Sequence, residues 1–462
     1  MRKLGRGNRY SSPVPQSPAS LPLRFLAFLG PLILTNVVQV LSSTLANIYL
    51  GHLVGVQAMA AAASFFPVLM VFIAFFIGLG SGASILVGQA TGARDEEKLR
   101  RIAGSVLVFA LALGTALAIL GVLCIGTVLR HMGTPADILP DATAYGQIML
   151  AGLPVPFLYV LVGSILRGTG DSVTPLRALL VTVVTSALLT PALILGWLGL
   201  PRLGVLGAAV SAVIGPTMAL AWLLWFQGRR KHLVSWHSLR GHLRLDGALL
   251  RTVVRLGIPS GLFAITSSLA DVALLSLVNQ HGSNATAAWG AVSQVMTYVM
   301  FPAMSIAIAS SVFAAQAIGA GQLHEVDHVT RVGLWMNLLL TGSLAVLVAL
   351  LAPWAAALFL KDPEVIAFTA SLLRITAWGA IAFGMASVFT GVMRAAGTVR
   401  VPTMISLGCI LVLVYPVASA LQHWIGVKGI WASYPVTYSC ALLLQAVYFF
   451  GVWKGKPLRR LV

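Results

Sequence analysis

Residues 164–176 read SILRGTGDSVTPL, and residues 391–403 read GVMRAAGTVRVPT. Arg167 pairs with Arg394, Gly170 with Gly397 and Pro175 with Pro402, each 227 residues further along. The same offset relates Gly55-Val-Gln-Ala-Met-Ala-Ala to Gly282-Ser-Asn-Ala-Thr-Ala-Ala, and Gln89 and Gly92 to Gln316 and Gly319. A common offset across three separated segments marks an internal duplication.

The chain between these markers is apolar. Its 462 residues are 58% hydrophobic and only 9% charged, with mean hydropathy +0.93. A soluble domain carries about 25% charged residues, so a water-covered globule is excluded. So is a cytosolic enzyme core. A bilayer-spanning helix needs about 20 apolar residues, and such segments fall at 22–50, 57–90, 99–130, 140–166, 174–199, 204–227, 248–280, 285–319, 329–354, 365–392, 402–424 and 428–453. The expected fold is an all-α membrane protein. Its twelve helices form two parallel six-helix lobes related by a pseudo-two-fold axis along the membrane normal. Pro67 and Pro302 sit inside the two longest segments, where tilting or kinking is expected.

The expected organisation is a basic, disordered cytosolic tail at 1–20, an N-lobe at 21–227, a basic linker at 228–247, a C-lobe at 248–453 and a short tail at 454–462. The run from Leu21 is too long for the apolar part of a signal peptide and reads as the first span.

Thirty Lys and Arg against twelve Asp and Glu leave a net charge of +18. In a soluble protein that would point to nucleic acid; here it is an orientation signal. Alternate connections carry Arg94, Lys98, Arg100 and Arg101, then Arg229, Arg230 and Lys231, then Lys454, Lys456, Arg459 and Arg460. The intervening ones hold only Arg130, Arg202, Lys361 and Lys428. Both termini are therefore expected on the cytoplasmic side of a bacterial plasma membrane. Membrane lipids are the expected partners, with no nucleic acid, and the protein is expected to be a monomer. The three cysteines, Cys124, Cys409 and Cys440, fall in apolar runs and read as small core residues, so no metal site or other cofactor is expected.

Two parallel lobes meeting at an interface can rock to expose a central cavity to each side in turn, which suits a secondary transporter. No phosphate-binding GxxxxGK[ST] loop occurs, so the driving force must be an ion or substrate gradient.

At this point the residues acquire a likeness. NIYLGHLVGVQAMAAAASFFPV (47–68), GASILVGQATGARDEEKLRRI (82–102), ILRGTGDSVTP (165–175) and RLGIPSGL (255–262) resemble the MATE family of multidrug and toxic compound extrusion transporters. The likeness covers Leu21 to Trp453, and its most specific element is the Arg-Gly-x-Gly-Asp-x-x-x-Pro run. It implies a twelve-helix exporter that exchanges H⁺ or Na⁺ for small organic substrates, often cationic. The chain departs from the pattern where bacterial members carry N-lobe acids: Asn47 stands for one, and Ser186 and Thr190 stand in the fifth helix. An early glutamate of the seventh helix, used by some members, falls near Ser267.

Sorting the twelve acids leaves one inside a span. Seven lie in cytosolic connections and four, Asp137, Asp141, Asp362 and Glu364, at the outer face, while Asp271 lies mid-way along the seventh segment, ITSSLADVALLSLV. A carboxylate at bilayer depth costs roughly 2.5–3.5 kcal/mol to insert, so Asp271 is the candidate for proton coupling and for contact with a cationic substrate. The competing reading is a structural acid tied to a hydroxyl, an amide or Arg374. Ser267 and Ser268 share its face, and its repeat partner is Thr44. Asn36, Gln39, Ser43 and Asn47 make a helical polar stripe on the first span. Gln294 and Tyr298 are similar on the eighth. These are candidates for lining the cavity or a cation site, and Trp289, Trp378, Phe383, Tyr415 and Trp431 for stacking on planar cations. Arg167, Gly170, Asp171, Pro175, Arg394 and Pro402 read as structural loop residues that build a turn, a cap or a salt bridge.

Three other functions compete. A lipid-linked oligosaccharide flippase of the same superfamily would need a cationic cavity. An intramembrane transferase would need convergent His or paired carboxylates. A channel would need a filter-like re-entrant segment.

Overall fold

The computed structural model describes residues 21–199, 201–230, 233–458 and 460–461, with the backbone alone at 56, 198 and 236. The tail expected at 1–20 lies outside the described residues, as do linker residues 231–232 and tail residues 459 and 462. Among the described residues eleven helices are long and apolar enough to cross a bilayer, and one bent pair supplies the twelfth span. The N-lobe holds α1 (Leu21–Val54), α2 (Gln57–Gly92), α3 (Glu96–His131), the bent α4 (Leu139–Ala151 with Pro154–Thr169), α5 (Val173–Leu195) and α6 (Val205–Arg229). The C-lobe holds α7 (Gly247–Asn279), α8 (Ser283–Ala320), α9 (Leu323–Leu350), α10 (Pro363–Ala395), α11 (Arg400–Ile425) and α12 (Lys428–Trp453). The expected two-lobe, twelve-helix architecture is the observed one. The end where α1 begins and α12 finishes is called basal below, and the opposite end far.

Local chemistry sets the boundaries. The few acids are placed at helix starts: Asp95 accepts from the Lys98 amide at 2.9 Å, and Asp171 from Val173 and Thr174 at 3.0 and 2.9 Å. Asp246 accepts from Ala248 and Leu249, and Asp362 from Glu364 at 2.9 Å. Each satisfies amides that have no partner within the helix. The duplicated glycines serve as duplicated turns, with Gly170 at φ +95° and Gly397 at φ +80° closing α4 and α10. A side chain at either position would be strained. Pro67 and Pro302 both lie inside unbroken helices. The sharp bend, 47°, is instead in α4 just before Pro154, where the missing amide and the ring prevent a straight continuation.

Apolar side chains cover the outside of the bundle: Leu123, Leu188, Leu350 and Val447 are all exposed. At the far ends of α9 and α11 they include Trp354 and Trp424, the positions aromatic belts occupy. Cys409 is buried, but Cys124 is exposed on α3 rather than packed.

One hydrophobic cluster runs from the N-lobe into the basal half of the C-lobe, through Phe25, Leu86, Phe313, Val392 and Trp453. The far half of the C-lobe has a separate cluster around Leu274, Leu373 and Trp431. The lobes thus share a core only toward the basal end. There α2 crosses α7 with backbones in contact: a Cβ on Gly78 would lie 2.6 Å from the Gly257 carbonyl oxygen. The linker is fastened to α3, with His242 2.9 Å from Glu97 and Asp246 3.0 Å from Arg101. The Asp246 amide also donates to Ser105 at 2.9 Å. The Leu249 amide, Arg101 and the Ala248 amide together hold the Asp246 carboxyl below the usual carboxylate range.

Gly257→Val forces two helix backbones apart and should lower thermal stability in detergent by more than the 1–3 kcal/mol typical of overpacking. Gly290→Val, which meets nothing within 4 Å, should leave the melting curve nearly unchanged.

Candidate functional site

Asp271 Oδ1 accepts a hydrogen bond from the Tyr434 hydroxyl at 2.5 Å. α7 supplies the acid and α12 the phenol. Around the pair, rings from three helices form a connected wall. Trp289 lies 6.2 Å from Tyr434, Tyr434 5.9 Å from Tyr438, and Tyr438 5.2 Å from Phe383. Phe263 extends it from α7, 6.4 Å from Phe383. The carboxylate is exposed in the bare bundle, and no described cation pairs with it. Arg374, the alternative partner, instead donates to the Ala349 carbonyl at 3.2 Å. A carboxylate held by one phenol, itself part of a wall of aromatic rings, can take up a proton, a metal cation or an organic cation.

The other candidates separate into two groups. Exposed polar groups line the far half of α1 at Gln39, Ser43 and Asn47, with Ser43 turned back onto the Val40 carbonyl at 2.9 Å. Asn36, nearer mid-height, reaches across the lobes to the Ser305 hydroxyl of α8 at 3.1 Å. Gln294 and Tyr298 are half-buried on α8, Tyr298 against Phe301 at 5.6 Å. Ser268 donates to the Ala264 carbonyl at 3.1 Å, and Ser267 is half-buried beside it.

The N-lobe oxygens are used between helices. Thr190 is buried, 2.8 Å from Ser211 of α6, and Ser211 also donates to the Ser186 carbonyl at 3.5 Å. Of the loop residues, Asp171 is the cap of α5, and Arg167 donates to Ser164 at 2.7 Å. Arg394 donates to Ser260 of α7. The Pro402 carbonyl accepts from Gln445 at 2.8 Å. Trp378 and Tyr415 are exposed away from the ring wall, while Trp431 is buried, 5.7 Å from Trp289.

Sequence reasoning missed three things. Tyr434 and Tyr438 are one turn apart on α12, a spacing that puts both on one face without pointing to Asp271. Thr286, Gly290, Ser293 and Thr297 form an exposed stripe on α8 at spacings of 4, 3 and 4, matching the stripe on α1. Asn337 is buried inside α9, donating to the Ile381 carbonyl at 2.9 Å and accepting from Thr341 at 3.0 Å.

The model of one protein family, MatE, matches the chain twice, over residues 31–192 and 259–419. The chain belongs to the MatE family. The two matches fall on the two lobes, as the 227-residue offset requires. Among relatives, the probable multidrug resistance protein YoeA of Bacillus subtilis is 41% identical, covering 94% of this chain and 95% of that protein. A protein of Shewanella oneidensis named FAD transporter is 24% identical, covering 90% of this chain and 92% of its own. A mutant of the Vibrio cholerae MATE transporter VcmN has the same fold, with TM-score 0.87 at 20% identity over 95% of this chain and 98% of that one.

Thr190→Val should cost about 1 kcal/mol of stability by leaving Ser211 without its partner, with Thr190→Ser close to wild type. Thermal denaturation in detergent reads both.

Proposed function

We propose that this protein is a secondary active multidrug efflux transporter of the bacterial plasma membrane. It exchanges H⁺, in preference to Na⁺, for organic and chiefly cationic amphiphilic compounds by alternating access. The observation that carries the reading is Asp271: the one carboxylate mid-way along a span, bonded to Tyr434, whose ring is part of the aromatic wall of Trp289, Tyr438 and Phe383.

The shape supports a transport cycle. Hydrogen bonds and ring contacts between the lobes lie at the basal end or mid-height: Phe25 and Phe28 against Phe313 at 5.3 and 5.5 Å, and Asn36 with Ser305. Toward the far end the polar stripes of α1 and α8 are exposed. Such stripes would be costly against lipid, so they are assigned to a cleft between the lobes that opens at the far end. The basal connections carry most of the Lys and Arg, which supports reading that end as cytoplasmic. The described conformation is then outward-open. In this scheme Asp271 takes a proton from outside, releases substrate, and is discharged to the cytoplasm after the lobes rock. Tyr434 positions the carboxylate. The relative named multidrug resistance protein supports a broad organic substrate range.

The test is dye or drug efflux in inverted vesicles with ΔpH and ΔNa⁺ imposed separately, and with FAD included among the substrates. Wild type should respond to ΔpH, Asp271→Asn should fall about ten-fold or more, and Tyr434→Phe should lie between. Equal rates for wild type and Asp271→Asn would overturn the coupling role.

A further inference from the structure

The glutamines of the duplicated pairs, Gln89 and Gln316, occupy related positions in a reciprocal arrangement. Gln89 of α2 donates its amide to the Ala395 carbonyl at the end of α10, at 2.7 Å. Gln316 of α8 donates to the Gly168 carbonyl at the end of α4, at 3.0 Å. Gly168 and Ala395 are themselves 227 residues apart, so each lobe extends one glutamine to the same orphan carbonyl of the other. These carbonyls belong to last helical turns, where no intrahelical donor exists. Gln89, Gln316, Gly168 and Ala395 are all buried. Gly92 and Gly319 make the approach feasible: a Cβ on Gly92 would strike the Gln316 carbonyl oxygen, and one on Gly319 that of Gln89.

The C-terminal segment adds a contact to the Gln89 half. The Leu461 amide donates to Gln89 Oε1 at 2.7 Å. Its side chain packs where a Cβ on Gly397 would come within 2.7 Å. The tail is held further back by Lys454 on Asp327 at 2.9 Å and by Trp453 on Thr398 at 2.9 Å. It therefore crosses from the start of α9 to the clasp on α2.

We propose that Gln89 and Gln316 form a reciprocal clasp that keeps the basal end shut, and that the C-terminal tail locks the Gln89 half through Leu461. Opening the basal end must break both cross-lobe bonds, and the Leu461 amide adds a third, to Gln89. The tail is thus a built-in control on the outward-to-inward step. The inference rests on the alternating-access reading, but its test needs no substrate.

The test measures how fast a thiol reagent modifies Ala315→Cys, a buried seam position beside Gly88. The background carries Cys124→Ser, Cys409→Ala and Cys440→Ala. Modification requires basal opening, so its rate reads the open population even when that is small. Gln89→Leu and Gln316→Leu leave a carbonyl buried without a donor only in the shut form, and each should raise the rate roughly three- to ten-fold. Leu461→Pro, which removes the donating amide, should act in the same direction. Added to Gln89→Leu it should give nothing more; added to Gln316→Leu it should multiply. Unchanged rates in both glutamine variants would overturn the clasp. Full multiplicity of Leu461→Pro with Gln89→Leu would overturn the lock. Neither result depends on whether Asp271→Asn transports.

Discussion

Hydrocarbon offers no partner to a polar group, and that constraint organises this chain more than any single contact does. Backbone amides and carbonyls are satisfied within helices, and formal charge is moved to the ends. What polarity remains inside must either find a partner on another helix or face water. The described spans follow both routes. Thr190 with Ser211, Asn337 with Ile381 and Gln445 with Pro402 close interhelical bonds, while Gln39, Ser43 and Ser293 stay exposed.

Because apolar surface gives no drive for helices to associate within lipid, close packing has to supply it. The seam between the lobes is accordingly built from small residues. Gly78 meets Gly257 and Gly88 meets Ala315, bringing backbones near enough for dispersion and weak polar contacts to add up. Phe25 and Phe28 interlock with Phe313 across the same seam at the basal end. What holds it in one position must be directional. The cross-lobe glutamine bonds are directional, and they sit at the end where the cores of the two lobes merge.

The architecture was legible because hydropathy and duplication are both one-dimensional signals. Twelve apolar runs and a repeated offset need no knowledge of packing. Segment ends were close for the same reason, since charges and prolines mark them locally. The bend in α4 was less visible: Gly152-Leu153-Pro154 lies within a continuous apolar run, and only the missing amide betrays it. The site was half legible. A carboxylate in a span stands out by its cost, so Asp271 could be found from composition alone. Its partner could not, because Tyr434 lies 163 residues away and tyrosine is unremarkable in an aromatic-rich helix. Ser186 and Thr190 show the converse difficulty: hydroxyls in a span signal a polar requirement without saying whether it is met by an ion or by a neighbouring helix.

Symmetry itself separates the two kinds of polar group. Where both halves keep a residue, as with Arg167 and Arg394, Gly170 and Gly397, or Gln89 and Gln316, the observed contacts are turns, short-range anchors and the basal clasp. These duties fall equally on the two lobes, so duplication preserves them. A coupling carboxylate has no such requirement, since one proton-accepting group per cycle suffices and a second would add another insertion cost. The chemistry is therefore expected in one lobe, against a neutral partner in the other. Asp271 opposite Thr44 in the repeat is that pattern. At the basal end the Leu461 amide adds its own bond to Gln89. On the proposed exchange the gradient alone sets the direction, and the single carboxylate sets how tightly ion and substrate binding oppose each other.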